Sequence, residues 1–126
     1  MSDKATYAYI VRKLEEISRT LGNDLAAKII DDDAKLAEKF FVIISDMMFD
    51  ITGPIIQKYP SLRPPVMTGG KHNGRYNIVW HDETTGEEEI VRSDIPPSSA
   101  ENVLQQLESA FKTGKKGFLY LEFKEN

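Results

Sequence analysis

Apolar residues recur along the first part of the chain at three- and four-residue steps. Tyr7, Ile10, Val11, Leu14, Ile17 and Leu21 share one side of a helix, with Lys13, Glu15, Glu16 and Arg19 facing away. The spacing predicts a helix over about 3–21, with Ser2 able to cap its start and Gly22 placed to supply the left-handed residue that ends it. A shorter helix follows over about 24–30, carrying Leu25, Ala26, Ile29 and Ile30. Asp31, Asp32 and Asp33 break that pattern, and negative charge there suits the unpaired N–H groups at the start of the next helix, over about 33–51.

That next helix departs from the amphipathic rule. Leu36, Ala37, Phe40, Phe41, Val42, Ile43, Ile44, Met47, Met48, Phe49 and Ile51 cover more than one side. One core accounts for a single stripe, so the helix is expected either at the centre of the fold or with its second face against another chain. Gly53-Pro54 is expected to end it, with Pro54 opening a short further turn through Ile55, Ile56 and Tyr59.

From Pro60 to Gly74 the chain is rich in proline and glycine, the mark of a long irregular connection. Beyond it the period changes from helical to two. Tyr76, Ile78 and Trp80 alternate with Asn77, Val79 and His81, predicting a strand over about 76–81, and a partner strand over about 87–92 follows across a turn in which Gly86 can take a left-handed conformation. Pro96 and Pro97 stop that second strand. Ser98 or Ser99 then caps a helix over about 98–113, with Val103, Leu104, Leu107, Ala110 and Phe111 as its apolar stripe, and a last strand is expected over about 118–123. This order predicts an α+β fold, residues 1–126 forming one domain in which N-terminal helices pack on a small, largely antiparallel three-stranded sheet. No internal repeat, heptad array or low-complexity stretch is present in the sequence.

Composition narrows the function classes. A chain of 126 residues with 40% apolar and 29% charged residues is of ordinary globular type. It has no cysteine, so disulfides, thiolate nucleophiles and Cys-ligated metal sites are excluded together. The start of the chain lacks the pattern of a secretory signal, and the longest uninterrupted apolar run, Phe40 to Ile44, is far short of the roughly 20 residues that cross a bilayer. A cytoplasmic protein with no membrane contact is the expectation. Net charge is −4, unevenly spread: residues 61–77 carry Arg63, Lys71 and Arg75 and no acid, whereas residues 78–101 carry Arg92 against seven acids. That acidity disfavours nucleic acid as a partner, since phosphate neutralisation needs a basic face.

Several stretches carry candidate site chemistry. The Asp31–Asp33 run lacks the alternating oxygen ligands, central glycine and distal glutamate of a calcium loop. Gly69, Gly70, Lys71, His72 and Arg75 form a glycine-rich basic stretch that could cradle an anion or nucleotide through backbone N–H groups and two cationic side chains. It is not a Walker A loop, because Pro65 and His72 occupy positions where that motif needs glycine and a hydroxyl residue. His81, Asp82 and Glu83 could be drawn as an acid/base or metal cluster, but neighbours on a strand point to opposite faces, and a turn of Asp, Glu, Thr and Gly needs no catalytic explanation. Tyr76 and Trp80 share one strand face, which suits base stacking but equally suits burial against the helices. No serine sits in a nucleophile elbow and no histidine has zincin spacing.

The leading expectation is a small acidic, non-catalytic accessory, adaptor or inhibitor-type module that binds another protein, without cofactor or metal. Phe40, Phe41, Met47 and Met48 would supply the adaptable apolar contacts, and Glu87, Glu88 and Glu89 would steer a partner with a basic surface. A homodimer formed by helix 33–51 about a two-fold axis fits the same reading. The alternative is an anion- or nucleotide-binding protein using the loop 68–75.

Overall fold

The computed structural model describes residues 3–65, 74–110 and 116–125, and gives the backbone but not the side chain of Asp3. Its elements are α1 (Asp3–Arg19), a π-helical stretch (Thr20–Ala26), α2 (Ala27–Ile29), α3 (Ala34–Met47), a second π-helical stretch (Met48–Thr52), α4 (Gly53–Lys58), a 3-10 turn (Pro60–Leu62), β1 (Gly74–Asp82), β2 (Glu88–Ile95), α5 (Pro97–Ala110) and β3 (Gly117–Glu125). The α+β class and the element order expected from the sequence are both present.

The sheet is antiparallel with strand order β2-β1-β3, so β1 is central. The two-residue period sorts its side chains. Tyr76, Ile78 and Trp80 of β1 sit opposite Phe123, Leu121 and Leu119 of β3, and all six are buried with Ala100 and Leu104 of α5. They form core rather than a stacking platform. On the other face Val79 pairs with Tyr120, and Ala8 and Val11 of α1, Ile55 of α4 and Leu62 cover them. Helices therefore close both faces of the sheet.

Strand β2 is the exposed edge. Two register shifts against β1 and a positive φ of 57° at Asp94 deform it, and Glu88, Glu89, Arg92 and Asp94 add charge. Bulges and charge at an edge discourage pairing with another strand. The turn before it is built as the residues suggest: Asp82 accepts from the N–H groups of Thr84 at 2.8 Å and Thr85 at 3.2 Å, and Gly86 has φ +76°.

Three boundaries differ from expectation. Gly22 does not end α1, because the helix runs on in wide π-helical turns through Ala26. Its missing side chain serves packing instead: a Cβ there would lie 3.3 Å from Ile44 Cδ1 and 3.7 Å from Phe41 Cε1 of α3. Gly53-Pro54 likewise does not end α3. The Gly53 N–H donates to the Met48 carbonyl, a five-residue step that widens the ladder just where Pro54 removes a donor and its ring would crowd the preceding turn. Helix α5 begins at Pro97, so Ser98 and Ser99 lie inside its first turn and proline's fixed φ opens it. The acid expected to cap α3 is in place, Asp33 accepting from the Leu36 N–H at 3.0 Å.

The phase of α1 is also shifted. Ala5, Ala8, Val11 and Arg12 are its buried positions, while Tyr7, Ile10 and Leu14 are half-buried and Ile17 is exposed. Small alanines let the helix approach closely, which turns the larger residues to its flanks. Arg12, 5% exposed, ties α1 to α5 by pairing with Glu101 and Glu108.

Candidate functional site

Helix α3 is not the centre of the fold. Ala37 is its only buried residue, and it packs on the π-helical stretches and α2 rather than on the sheet. Small residues make that hairpin close: Gly22 and Ala26 on one arm and Ala37 on the other. The large apolar residues are left outside. Leu36, Phe41, Val42, Ile43, Phe49 and Ile51 are all more than 40% exposed, with Phe49 at 79%. Ile17, Leu25 and Ile30 on the other arm are exposed as well. A monomer rarely leaves so many large apolar side chains of one hairpin in water without a use for them.

Of the apolar residues singled out in the sequence, Phe41 is exposed while Phe40, Met47 and Met48 are half-buried. Phe41, Met47 and Met48 also line a hollow of about 360 Å³ between α1 and α3, together with Leu14, Ile44 and Gly22. Its polar end is formed by Glu15, Arg19 and Glu101. Arg19 pairs with Glu101 at 2.9 Å. Glu15 is turned toward Glu101, and burial, the hydrogen bond between the two carboxyl groups and the charge of Glu101 push Glu15 up to about 8, past the opposing pull of Arg12 and Arg19. In neutral solution Glu15 is therefore largely protonated and donates to Glu101. Burial works against the charge of Arg12, but its hydrogen bond to Glu108 and the fields of Glu101 and Glu108 outweigh that and hold it above its ordinary value. The amphipathic period alone placed Glu15 on the solvent side; the arginines within a turn of it were the available signal that it lies in a charge cluster.

The acidic segment divides. Glu87 and Glu89 are exposed at the hairpin, where they can act at a distance. Glu88 is committed: its carboxylate lies 3.1 Å from His81 Nδ1 and accepts the Tyr120 hydroxyl at 2.9 Å. Burial and then the Glu88 contact raise Tyr120 well above its ordinary phenol range, so the hydroxyl stays a donor. His81 is 2% exposed, and among the described residues its Nε2 has no hydrogen-bond partner. Asp82 is spent on the turn, so His81, Asp82 and Glu83 do not converge on one site. Among the described residues no three His, Asp or Glu side chains gather as a metal site.

Gly69, Gly70, Lys71 and His72 lie outside the described residues. Arg75, the remaining member of that proposed anion site, is half-buried on β1 and donates to the Gly74 carbonyl at 3.0 Å. Counting uninterrupted apolar residues understates the chain, because Ala34–Lys58 forms one helical run of 25 residues that is long and apolar enough to span a bilayer by length and composition. Its far end is built into the fold, with Ile55 and Ile56 buried.

No known protein family, curated protein or solved structure matches this chain. The site must be read from its own geometry.

Proposed function

We propose that the protein is a non-catalytic interaction module that binds another protein through the apolar surface of α3. The observation that carries this reading is the inversion of α3: its one buried residue is an alanine, while Leu36, Phe41, Val42 and Ile43 are each more than 40% exposed. Aromatic and large aliphatic side chains contribute on the order of 1.5 to 3 kcal/mol each when buried, so a partner covering several of them has a substantial driving force. The exposed carboxylates of Glu87 and Glu89 would raise the encounter rate with a basic partner without adding much affinity. A protein surface is favoured over a bilayer because Ile55 and Ile56, at the end of the same helical run, pack into the fold.

The test is affinity capture from native cell extract, with Leu36→Ser/Ile43→Ser and Glu87→Lys/Glu89→Lys as comparisons. The reading expects a stoichiometric protein held by the native chain, lost by the first variant and captured more slowly by the second. Capture of the same proteins by the native chain and the folded Leu36→Ser/Ile43→Ser variant would refute it.

A further inference from the structure

On one flank of α3, Leu36, Phe40, Ile43 and Met47 follow one another at steps of four, three and four residues. That is the spacing of a helix-pairing seam, on which alternate knobs enter the holes of a facing helix. Leu36 is 44% and Ile43 48% exposed, Phe40 between them is half-buried, and Met47, also half-buried, has its inner side in the hollow against α1. The seam is therefore open on its outer side. Its inner border is formed by Ala37, which is buried, and Ile44, which lines the hollow against α1, so only the outer border is free to meet a partner.

Two charged residues stand on that outer border, Lys39 and Asp46, one heptad apart and both exposed. Among the described residues neither makes an ion pair within the chain. In an antiparallel pair of identical helices, Leu36 would lie across from Met47 of the second copy and Phe40 across from its Ile43. The two-fold axis then passes near the middle of the seam. Residues on the outer border meet their counterparts across it in that arrangement, which sets Lys39 of each copy against Asp46 of the other, twice per dimer. A parallel arrangement would not bring these two positions together.

We infer that this flank of α3 is the contact between two copies of the chain, paired antiparallel about a two-fold axis, with Leu36, Phe40, Ile43 and Met47 as the seam and Lys39 facing Asp46 of the partner copy at both ends. This rests on the interaction reading of α3 and names a second copy as the occupant of this flank; the steering by Glu87 and Glu89 concerns a basic partner and does not apply to a second copy of net charge −4. The self-complementary charge pattern selects a second copy over an unrelated helix or a bilayer, neither of which would require opposite charges at these two positions.

Sedimentation velocity in low salt, with the full chain at about 100 µM, tests it through Lys39→Asp, Asp46→Lys, their double variant and an equimolar mixture of the two single variants. The native chain should be a dimer. Each single variant places like charges together twice and should weaken the dimer by roughly tenfold. The double variant should recover native affinity. So should the mixture, because a chain with two acids then meets a chain with two lysines. Both substitutions lie on exposed positions, and circular dichroism checks that each variant is folded. A monomeric native chain overturns the inference, as does a dimer that ignores the single substitutions or a mixture that fails to recover. A monomer that instead floats with phosphatidylcholine vesicles assigns the flank to lipid and also overturns it. A native chain that sediments as a monomer yet captures a different protein, lost with Leu36→Ser/Ile43→Ser, would leave the broader interaction reading standing while the dimer falls.

Discussion

The sheet half and the helical hairpin use similar residues in opposite ways. Around β1 the large side chains are inside: Tyr76, Ile78, Leu104 and Leu119 are at most 2% exposed. In the hairpin from Thr20 to Thr52 the small residues Ala26 and Ala37 are inside, with Thr52, and the large apolar ones are half-buried or exposed. Apolar content therefore predicts burial in the first half and surface in the second. What separates them is access to a second layer. The sheet is covered on both faces, whereas α3 is buried only at Ala37, and a helix that is apolar on several sides cannot hide them all.

The contrast is open to direct test, beginning with the largest effect. Leu104→Ala should cost about 2 to 5 kcal/mol in denaturant unfolding, because it leaves a cavity under the sheet. Ile43→Ser, which removes a comparable side chain from α3, should cost less than about 0.5 kcal/mol in the monomer. Equal losses would erase the distinction between the two regions.

Glu88→Ala should cost roughly 1 to 3 kcal/mol by leaving the Tyr120 hydroxyl and His81 without their shared acceptor, although Glu88 sits among exposed acids in the sequence. Loss no larger than that of Glu89→Ala would show that the cluster is not structural.

Glu15 gives the hairpin junction a pH signature. Its folded value of about 8 lies above the ordinary carboxylate value of 4.5, so between those limits the folded chain holds a proton that the unfolded chain has released. Stability should therefore fall as pH rises from about 5 to 8, and Glu15→Gln should flatten that slope and stabilise the protein at pH 8 by roughly 1 to 3 kcal/mol. Thermal unfolding across that range reads both. An unchanged slope in the variant would place the titration elsewhere.

The smallest local effect is expected at the start of α3. Asp33→Ala removes the acceptor for the Leu36 N–H and should cost about 1 kcal/mol, seen first as faster hydrogen exchange in the opening turn of α3. Exchange that spreads at once through β1 would mean that the hairpin and sheet open as a unit.

The sequence by itself determined the elements and their order, because hydrophobic period, proline positions and turn residues are local signals. Asp33, Gly86 and the Pro96-Pro97 stop act within a few residues of themselves, and each does in the structure what its chemistry implies. The inside-facing residues of β1 were legible too, since a two-residue period admits only two faces. The site was legible in part: the excess apolar surface on 33–51 could be counted, but whether it was core or surface depended on what lay beside it. Tertiary structure alone decided that α3 lies outside the sheet layers, that Gly22 is a contact rather than a stop, that Glu15 turns toward Glu101 and that Glu88 belongs to His81 and Tyr120. Each of these joins residues distant in the chain or fixes the rotation of one helix against another. Packing sets that rotation, and no local period encodes it.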